Sequence, residues 1–259
     1  MYLLTAVADL IRNGDSICDC LMRTALERLW TNMVDRKMYL TGGIGAIKQW
    51  EGFGIDYFLP SSTDEGGCYA ETCAAIGVMM LAERMLQVCT EDQHHTVAAN
   101  NNLQLDLDGK YGDIMELCFY NAAMTGMSTD GKKFTYVNQM ASSDTDLSKR
   151  AEWFTCACCP PNVTRLLGYI GGYIWSSQTD AEKNSVQVNV HMYSSAVLEI
   201  VVGENKAKLE QKSNWPWDGK IEFSLENPAN VSTTLKLRLP AWAEDDWQVS
   251  LNNTTSQLC

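Results

Sequence analysis

Four side chains on two remote stretches of the chain are of a kind that can share one metal ion: Glu71 and Cys73 in Tyr69-Ala70-Glu71-Thr72-Cys73, and Cys158 and Cys159 in Cys156-Ala157-Cys158-Cys159-Pro160-Pro161-Asn162. Three thiols and a carboxylate are soft and borderline donors that suit tetrahedral zinc. Such a site carries more negative charge than the metal neutralises. The metal keeps the sulfurs deprotonated while at least one of them stays electron-rich, which makes a nucleophile. A closed zinc site that only ties a helix to a loop explains the same spacing equally well, and an exchangeable disulfide among Cys156, Cys158 and Cys159 is a third reading.

The backbone must satisfy two conditions for these donors to meet. Residues two apart on a regular helix face different ways, so Glu71 and Cys73 converge only if Glu71 lies at or before the first helical turn. The segment Gly66-Gly67-Cys68-Tyr69 permits that. Pro160 biases Cys159 toward an extended backbone and turns the chain at the thiol pair.

The surrounding elements follow from periodicity. Residues 2–36 predict two helices broken at Asn13-Gly14-Asp15, with Leu21, Ala25, Leu29 and Met33 as an apolar stripe. Thr41-Gly42-Gly43-Ile44-Gly45 reads as a glycine-rich turn and Trp50 to Gly67 as a long functional loop. Residues 72–88 are apolar on nearly every side, the pattern of a helix buried all round. Another helix is predicted over 113–125, and Asn162 is a candidate N-cap for a helix through Val163, Leu166, Leu167 and Ile170. From about residue 184 the period becomes two: Val186, Val188, Val190; Leu198, Ile200, Val202; Ile221, Phe223, Leu225; Leu235, Leu237, Leu239. Helices followed by strands predict two domains, 1–182 and 183–259, the second an antiparallel sheet or sandwich.

Composition narrows the function classes. The chain has 259 residues, 46% hydrophobic and 20% charged, enough to bury a sizeable core. A formal net charge of -12 disfavours nucleic acid and anionic lipid as partners. Asp9 interrupts the only N-terminal apolar run, so no export signal is expected and a cytoplasmic chain is favoured; no apolar run is long enough to span a bilayer. The remaining thiols, Cys18, Cys20, Cys68, Cys89, Cys118 and Cys259, read as small buried or incidental residues.

A set of ordered motifs resembles glycoside hydrolase family 127, the β-L-arabinofuranosidases. It comprises Thr41-Gly42-Gly43-Ile44-Gly45, Glu51-Gly52-Phe53-Gly54, Asp56-Tyr57 with Leu59-Pro60, Tyr69 to Ala74, Tyr120-Asn121 with Gly126-Met127-Ser128, and Cys158 to Asn162. Trp215 to Gly219 and Arg238 to Trp242 extend the likeness. The resemblance implies a partial (α/α)6 barrel, lacking the family's N-terminal portion, followed by an incomplete antiparallel β-sandwich. It implies zinc held by Glu71, Cys73, Cys158 and Cys159, Cys158 as the nucleophile that forms a thioglycosyl intermediate, and Glu51 as acid/base. It also implies an arabinofuranoside oligosaccharide or glycoconjugate as substrate. A hydrolase for another furanoside or branched sugar, and an inactive zinc-stabilised carbohydrate-binding protein, are the rival expectations.

Taken without the family, Glu51 reads as a solvated loop charge. His94 and His95 read as loop residues and His191 as a packed strand histidine. Trp50, Tyr57, Tyr69 and Tyr120 suit either sugar stacking or core packing. The sequons at Asn162, Asn230, Asn252 and Asn253 matter only in a secreted chain.

Overall fold

The computed structural model describes residues 1–14, 17–65, 67–88, 96–100, 103–106, 109–142, 145, 148–243, 247–252 and 254–256, and for 17–19, 63, 96–100 and 254–256 the backbone alone. Cys89, His94, His95, Asn253 and Cys259 lie outside the described residues, as does the side chain of Cys18. The chain divides into two compact units, Met1–Cys89 with Ile114–Gly168 and Thr90–Asp113 with Tyr169–Cys259.

The first unit is helical. Helices α1 (Tyr2–Asn13) and α2 (Ile17–Lys37) are separated at Gly14, as the break at Asn13-Gly14-Asp15 predicts. Helix α3 (Thr72–Val88) packs against α1, the turn at Phe119–Ala123 and α5 (Cys159–Gly168). Ala75, Ile76, Val78, Met79, Leu81, Ala82 and Met85 of α3 are at most 1% exposed, because a helix apolar on all sides is stable only inside other elements. The stripe expected on α2 is corrected except at Met33. Leu21 and Leu29 are exposed, while Leu26, Trp30 and Met33 are buried. Pure i+4 steps advance 40° beyond a full turn each time, so such a row drifts off the face that alternating steps of four and three keep.

Helix α4 (Lys110–Cys118) begins before the predicted 113–125, and the chain continues through a π-helical turn at Phe119–Ala123 and a 3-10 turn at Met124–Gly126. Helix α5 starts at Cys159, three residues ahead of the predicted cap. Pro160 and Pro161 occupy its first turn, where a missing N–H forfeits nothing, and Asn162 is helical. Cys159 therefore enters the helix instead of staying extended, and Cys158 takes the preceding position, its carbonyl accepting from the Asn162 N–H at 3.2 Å.

The second unit carries a short helix α6 (Gly171–Ile174) and strands. These are β1 (Thr96–Asn100), β2 (Leu103–Asp106), β3 (Trp175–Asp180), β4 (Ser185–Val190), β5 (Ala196–Val202), β6 (Asn205–Ser213), β7 (Ile221–Glu226), β8 (Ser232–Arg238), β9 (Val249–Leu251) and β10 (Thr254–Ser256). They form a five-stranded sheet in the order β1-β2-β8-β4-β3, a three-stranded sheet β5-β6-β7 and a β9-β10 hairpin. The period-two residues of β4 are buried, Val186, Val188 and Val190 each at 3% or less. One apolar cluster joins Trp175, Val186 and Val188 with Ile200, Val202, Ala207 and Leu209.

The antiparallel expectation, made for strands beyond about residue 184, holds for the three-stranded sheet, but β8 lies parallel to both β4 and β2; β1, β2 and β3, which pair antiparallel as β1–β2 and β3–β4, are strands that the sequence periodicity did not predict. Tight turns force consecutive strands antiparallel; β8 returns to β4 only after the β5-β6-β7 excursion, which leaves its direction free. Arg238 at the end of β8 is 4% exposed; it is paired with Asp113 and donates Nε–H to the His191 carbonyl at 2.6 Å. His191 is packed, its Nε2 lying 2.9 Å from Ser176 Oγ.

Candidate metal and thiol centre

The site is built in the first unit from three pieces of backbone. Glu71 is not helical: it makes an antiparallel bridge with Val137, and α3 starts at Thr72. The Thr72 N–H donates to the Tyr136 carbonyl at 3.0 Å, and the Asn138 N–H donates to the Ala70 carbonyl at 3.2 Å. Thr72, fully buried, donates its hydroxyl to the Thr135 carbonyl at 2.8 Å and accepts from Asn138 Nδ2 at 2.9 Å. Cys68 and Ala70 hold positive φ of 57° and 34°, so the approach to Glu71 is a strained, tightly specified turn. This meets the backbone condition set by the two-residue spacing. Cys158 and Cys159 open α5, whose dipole favours negative charge on sulfur although Pro160 and Pro161 offer no N–H there.

Glu71, Cys73, Cys158 and Cys159 each place one donor atom within 4.8 Å of the other three. Cys73 Sγ and Cys158 Sγ are 3.6 Å apart, and Cys158 Sγ and Cys159 Sγ 3.8 Å. Glu71 Oε1 accepts from the Cys73 and Cys158 thiols at 2.8 Å and 2.7 Å and stands 3.7 Å from Cys159 Sγ. A tetrahedral ion of zinc's size, with bonds of about 2.3 Å to sulfur and about 2.1 Å to oxygen, sets sulfur–sulfur edges of about 3.8 Å and sulfur–oxygen edges of about 3.6 Å. The sulfur–sulfur distances match. Two of the oxygen distances are shorter by roughly 0.8–0.9 Å than that ideal, because thiols hydrogen-bond the carboxylate directly; opening them needs only a small carboxylate movement. The residues fit such an ion.

Charge makes the same point. Burial first, and then the hydrogen bond to Glu71, push the Cys158 thiol up to about 12. The Cys73 thiol is raised further, chiefly by its hydrogen bond with Cys159 and by burial. Without a cation the Cys73 and Cys158 thiols stay protonated at neutral pH; a divalent ion would supply the charge that ionises them. The cysteines of the described residues are free thiols, Cys156 among them and exposed.

Glu51 lies outside this cluster. It follows the 3-10 turn Lys48–Trp50 with φ of 51°, at the tip of a loop closed by two Ile47–Gly52 hydrogen bonds of 3.1 Å. Its Oε1 accepts from the Tyr69 hydroxyl at 3.4 Å. Trp50 and Tyr57 are exposed, at 65% and 70%, while Tyr69 and Tyr120 are partly buried. The sequence reading missed Tyr136, whose hydroxyl is 3.0 Å from Cys158 Sγ, and the Thr72–Asn138 support; a short β-like run, Phe134 to Val137, was the only local signal.

A helical unit that gathers three thiols and a carboxylate, joined in sequence to a β-rich unit, is a fold with a site able to hold a metal ion. The profile described as the beta-L-arabinofuranosidase GH127 catalytic domain matches residues 5–172, and that of the GH127 middle domain residues 187–257. The chain belongs to glycoside hydrolase family 127. It is 32% identical over 263 residues to the non-reducing end beta-L-arabinofuranosidase of Bifidobacterium longum subsp. longum, covering 97% of this chain and 35% of that protein. It also resembles the crystal structure of a GH127 beta-L-arabinofuranosidase from Geobacillus stearothermophilus T6 (TM-score 0.79, 33% identity, 98% of this chain and 37% of that one). A second solved GH127 beta-arabinofuranosidase gives a TM-score of 0.76 at 31% identity, over 98% of this chain and 38% of that one. The chain thus spans about a third of the length of these relatives. No helix among the described residues is long and apolar enough to cross a membrane.

Proposed function

We propose that the chain carries the thiolate half of a retaining glycosidase that releases β-linked L-arabinofuranose, with zinc held by Glu71, Cys73, Cys158 and Cys159. The observation that carries the reading is Cys158 Sγ at the start of α5, 2.7 Å from Glu71 Oε1 and 3.6 Å from Cys73 Sγ. Zinc bound there keeps the sulfurs deprotonated at neutral pH. The Cys158 sulfur lone pair forms a bond to the anomeric carbon as the glycosidic C–O bond breaks, and the Glu51 carboxyl gives its proton to the departing oxygen. Water then attacks the same carbon, the C–S bond breaks, and the Glu51 carboxylate takes the water proton. The left-handed backbone of Glu51 supports its role, since such strain persists where a side chain must be aimed.

An (α/α)6 barrel is proposed within residues 1–182, with the helical unit as part of it, and a β-sandwich over 183–259, whose strands β4 and β8 share a sheet with β1, β2 and β3 from before residue 183. Leu3 and Leu10 of α1 and Leu21 and Leu29 of α2 are exposed, apolar positions that a full ring would cover. The second reading is a zinc-stabilised carbohydrate-binding protein without turnover.

The deciding experiment incubates the zinc-loaded chain with p-nitrophenyl β-L-arabinofuranoside and follows product and intact mass. Hydrolysis, with one pentosyl group trapped on Cys158 and none in Cys158→Ser, supports the proposal. Full turnover by Cys158→Ser refutes the nucleophile, and sugar binding without release selects the second reading.

A further inference from the structure

Tyr136 is neither a donor of the cluster nor part of the roles proposed above, yet it touches the sulfur on which they depend. The backbone that carries it is hydrogen-bonded to the backbone that carries Glu71: the Thr72 N–H donates to the Tyr136 carbonyl, and the next residue, Val137, bridges Glu71. Its ring packs edge-on against Phe154, centroids 5.2 Å apart at 65°, and tilts against Tyr69 at 5.9 Å and 54°. Two aromatic neighbours and a bridged backbone fix the phenol before any substrate arrives. Its hydroxyl ends 3.0 Å from Cys158 Sγ. The Tyr69 hydroxyl interacts with that of Tyr136 and reaches Glu51 Oε1 at 3.4 Å, so a line of phenols connects Cys158 to Glu51.

We infer that Tyr136 is a positioning residue that donates a hydrogen bond to the ionised Cys158 sulfur and so holds it in one orientation, an inference that rests on the nucleophile role proposed for Cys158. As a thiol, Cys158 can donate to Glu71 or to the Tyr136 oxygen. Once ionised it can only accept, and a phenol O–H at this distance then makes a charge-assisted bond, stronger and more directional than the neutral one. With the phenol on one sulfur lone pair, a metal ion bound by the cluster would take a second and leave a single direction for attack. Partners of this kind, outside the ligand set, set the orientation and basicity of metal-bound ligands.

The test uses Tyr136→Phe, which keeps the ring packing, with Tyr69→Phe as the control that leaves the Tyr136–Cys158 contact in place. Each is loaded with cobalt(II) as the spectroscopic probe. The expected result is one cobalt per chain in all three proteins. The sulfur-to-cobalt charge-transfer band should move to lower energy in Tyr136→Phe, because a thiolate relieved of a hydrogen bond is a better electron donor, and stay in place in Tyr69→Phe. With zinc and an arabinofuranoside, Tyr136→Phe lowers kcat by about 10- to 100-fold with little change in KM. A Tyr136→Phe band at the wild-type position, or an equal shift in both variants, overturns the inference. A shifted band with no hydrolysis by the wild type keeps the contact and refutes the glycosidase reading instead.

Discussion

Gly126→Ala should unsettle the metal centre without touching a ligand. A Cβ at this position would lie 2.6 Å from Thr72 Cγ2 and 2.9 Å from Thr72 Oγ1, against an ordinary contact of about 3.5 Å. Thr72 is fully buried and cannot swing aside freely, because its hydroxyl bonds the Thr135 carbonyl and Asn138 Nδ2. Rotating it gives up two hydrogen bonds of about 1 kcal/mol each, and keeping it forces a backbone shift of about 1–3 kcal/mol. Gly126 has no positive φ, so alanine returns roughly 0.4–1 kcal/mol through the unfolded chain. The net cost is about 1.5 kcal/mol, a fall in Tm of about 3–6 °C for a chain of this size. Because Thr72 sits between Glu71 and Cys73, zinc affinity should fall as well. Thermal unfolding and zinc titration of Gly126→Ala, Thr72→Ala and the double variant check this. With the obstructing side chain removed, the alanine at 126 should cost nothing and return its roughly 0.4–1 kcal/mol, giving a coupling of about 2 kcal/mol. Strictly additive costs, or a Tm within about 1 °C of wild type, would refute the reasoning.

Two further outcomes are expected. The chain should bind one zinc, and Cys73→Ala or Glu71→Gln should weaken that binding by at least about tenfold, measured by competition with a chromogenic chelator; unchanged affinity in both would remove these residues from the ligand set. Burial pushes the Cys118 thiol up to about 12. Its folded value lies above its unfolded one, so its contribution to stability is complete below the unfolded value of about 9 and is lost as pH rises toward 12. In native protein at pH 9, iodoacetamide should label exposed Cys20 and Cys156 and spare Cys118, read by peptide mass spectrometry; equal labelling of Cys118 contradicts its burial.

The glycine turn shows how far a short sequence pattern reaches. Gly42 holds φ of 86° with its Cα face against Cys118, where a Cβ would sit 2.8 Å from Sγ. The need for a residue without a Cβ was legible from Thr41 to Gly45, while the identity of the neighbour was not. The helix break at Gly14, the buried α3 and the period-two strand β4 were legible for the same reason, since each is set by neighbours within a few residues.

Sequence alone also supplied the candidate donors: three sulfurs and a carboxylate at spacings that need an extended Glu71 and a turn at the Cys158–Cys159 pair if they are to meet. Tertiary structure decided what long-range pairing decides. It chose which face of α2 is buried, placed β8 parallel between β2 and β4, and brought Tyr136 to Cys158 through a backbone bridge from Val137 to Glu71. Local periodicity cannot encode such contacts. Their partners lie far apart along the chain and meet only when burial of the shared core repays the entropy of closing the loops between them.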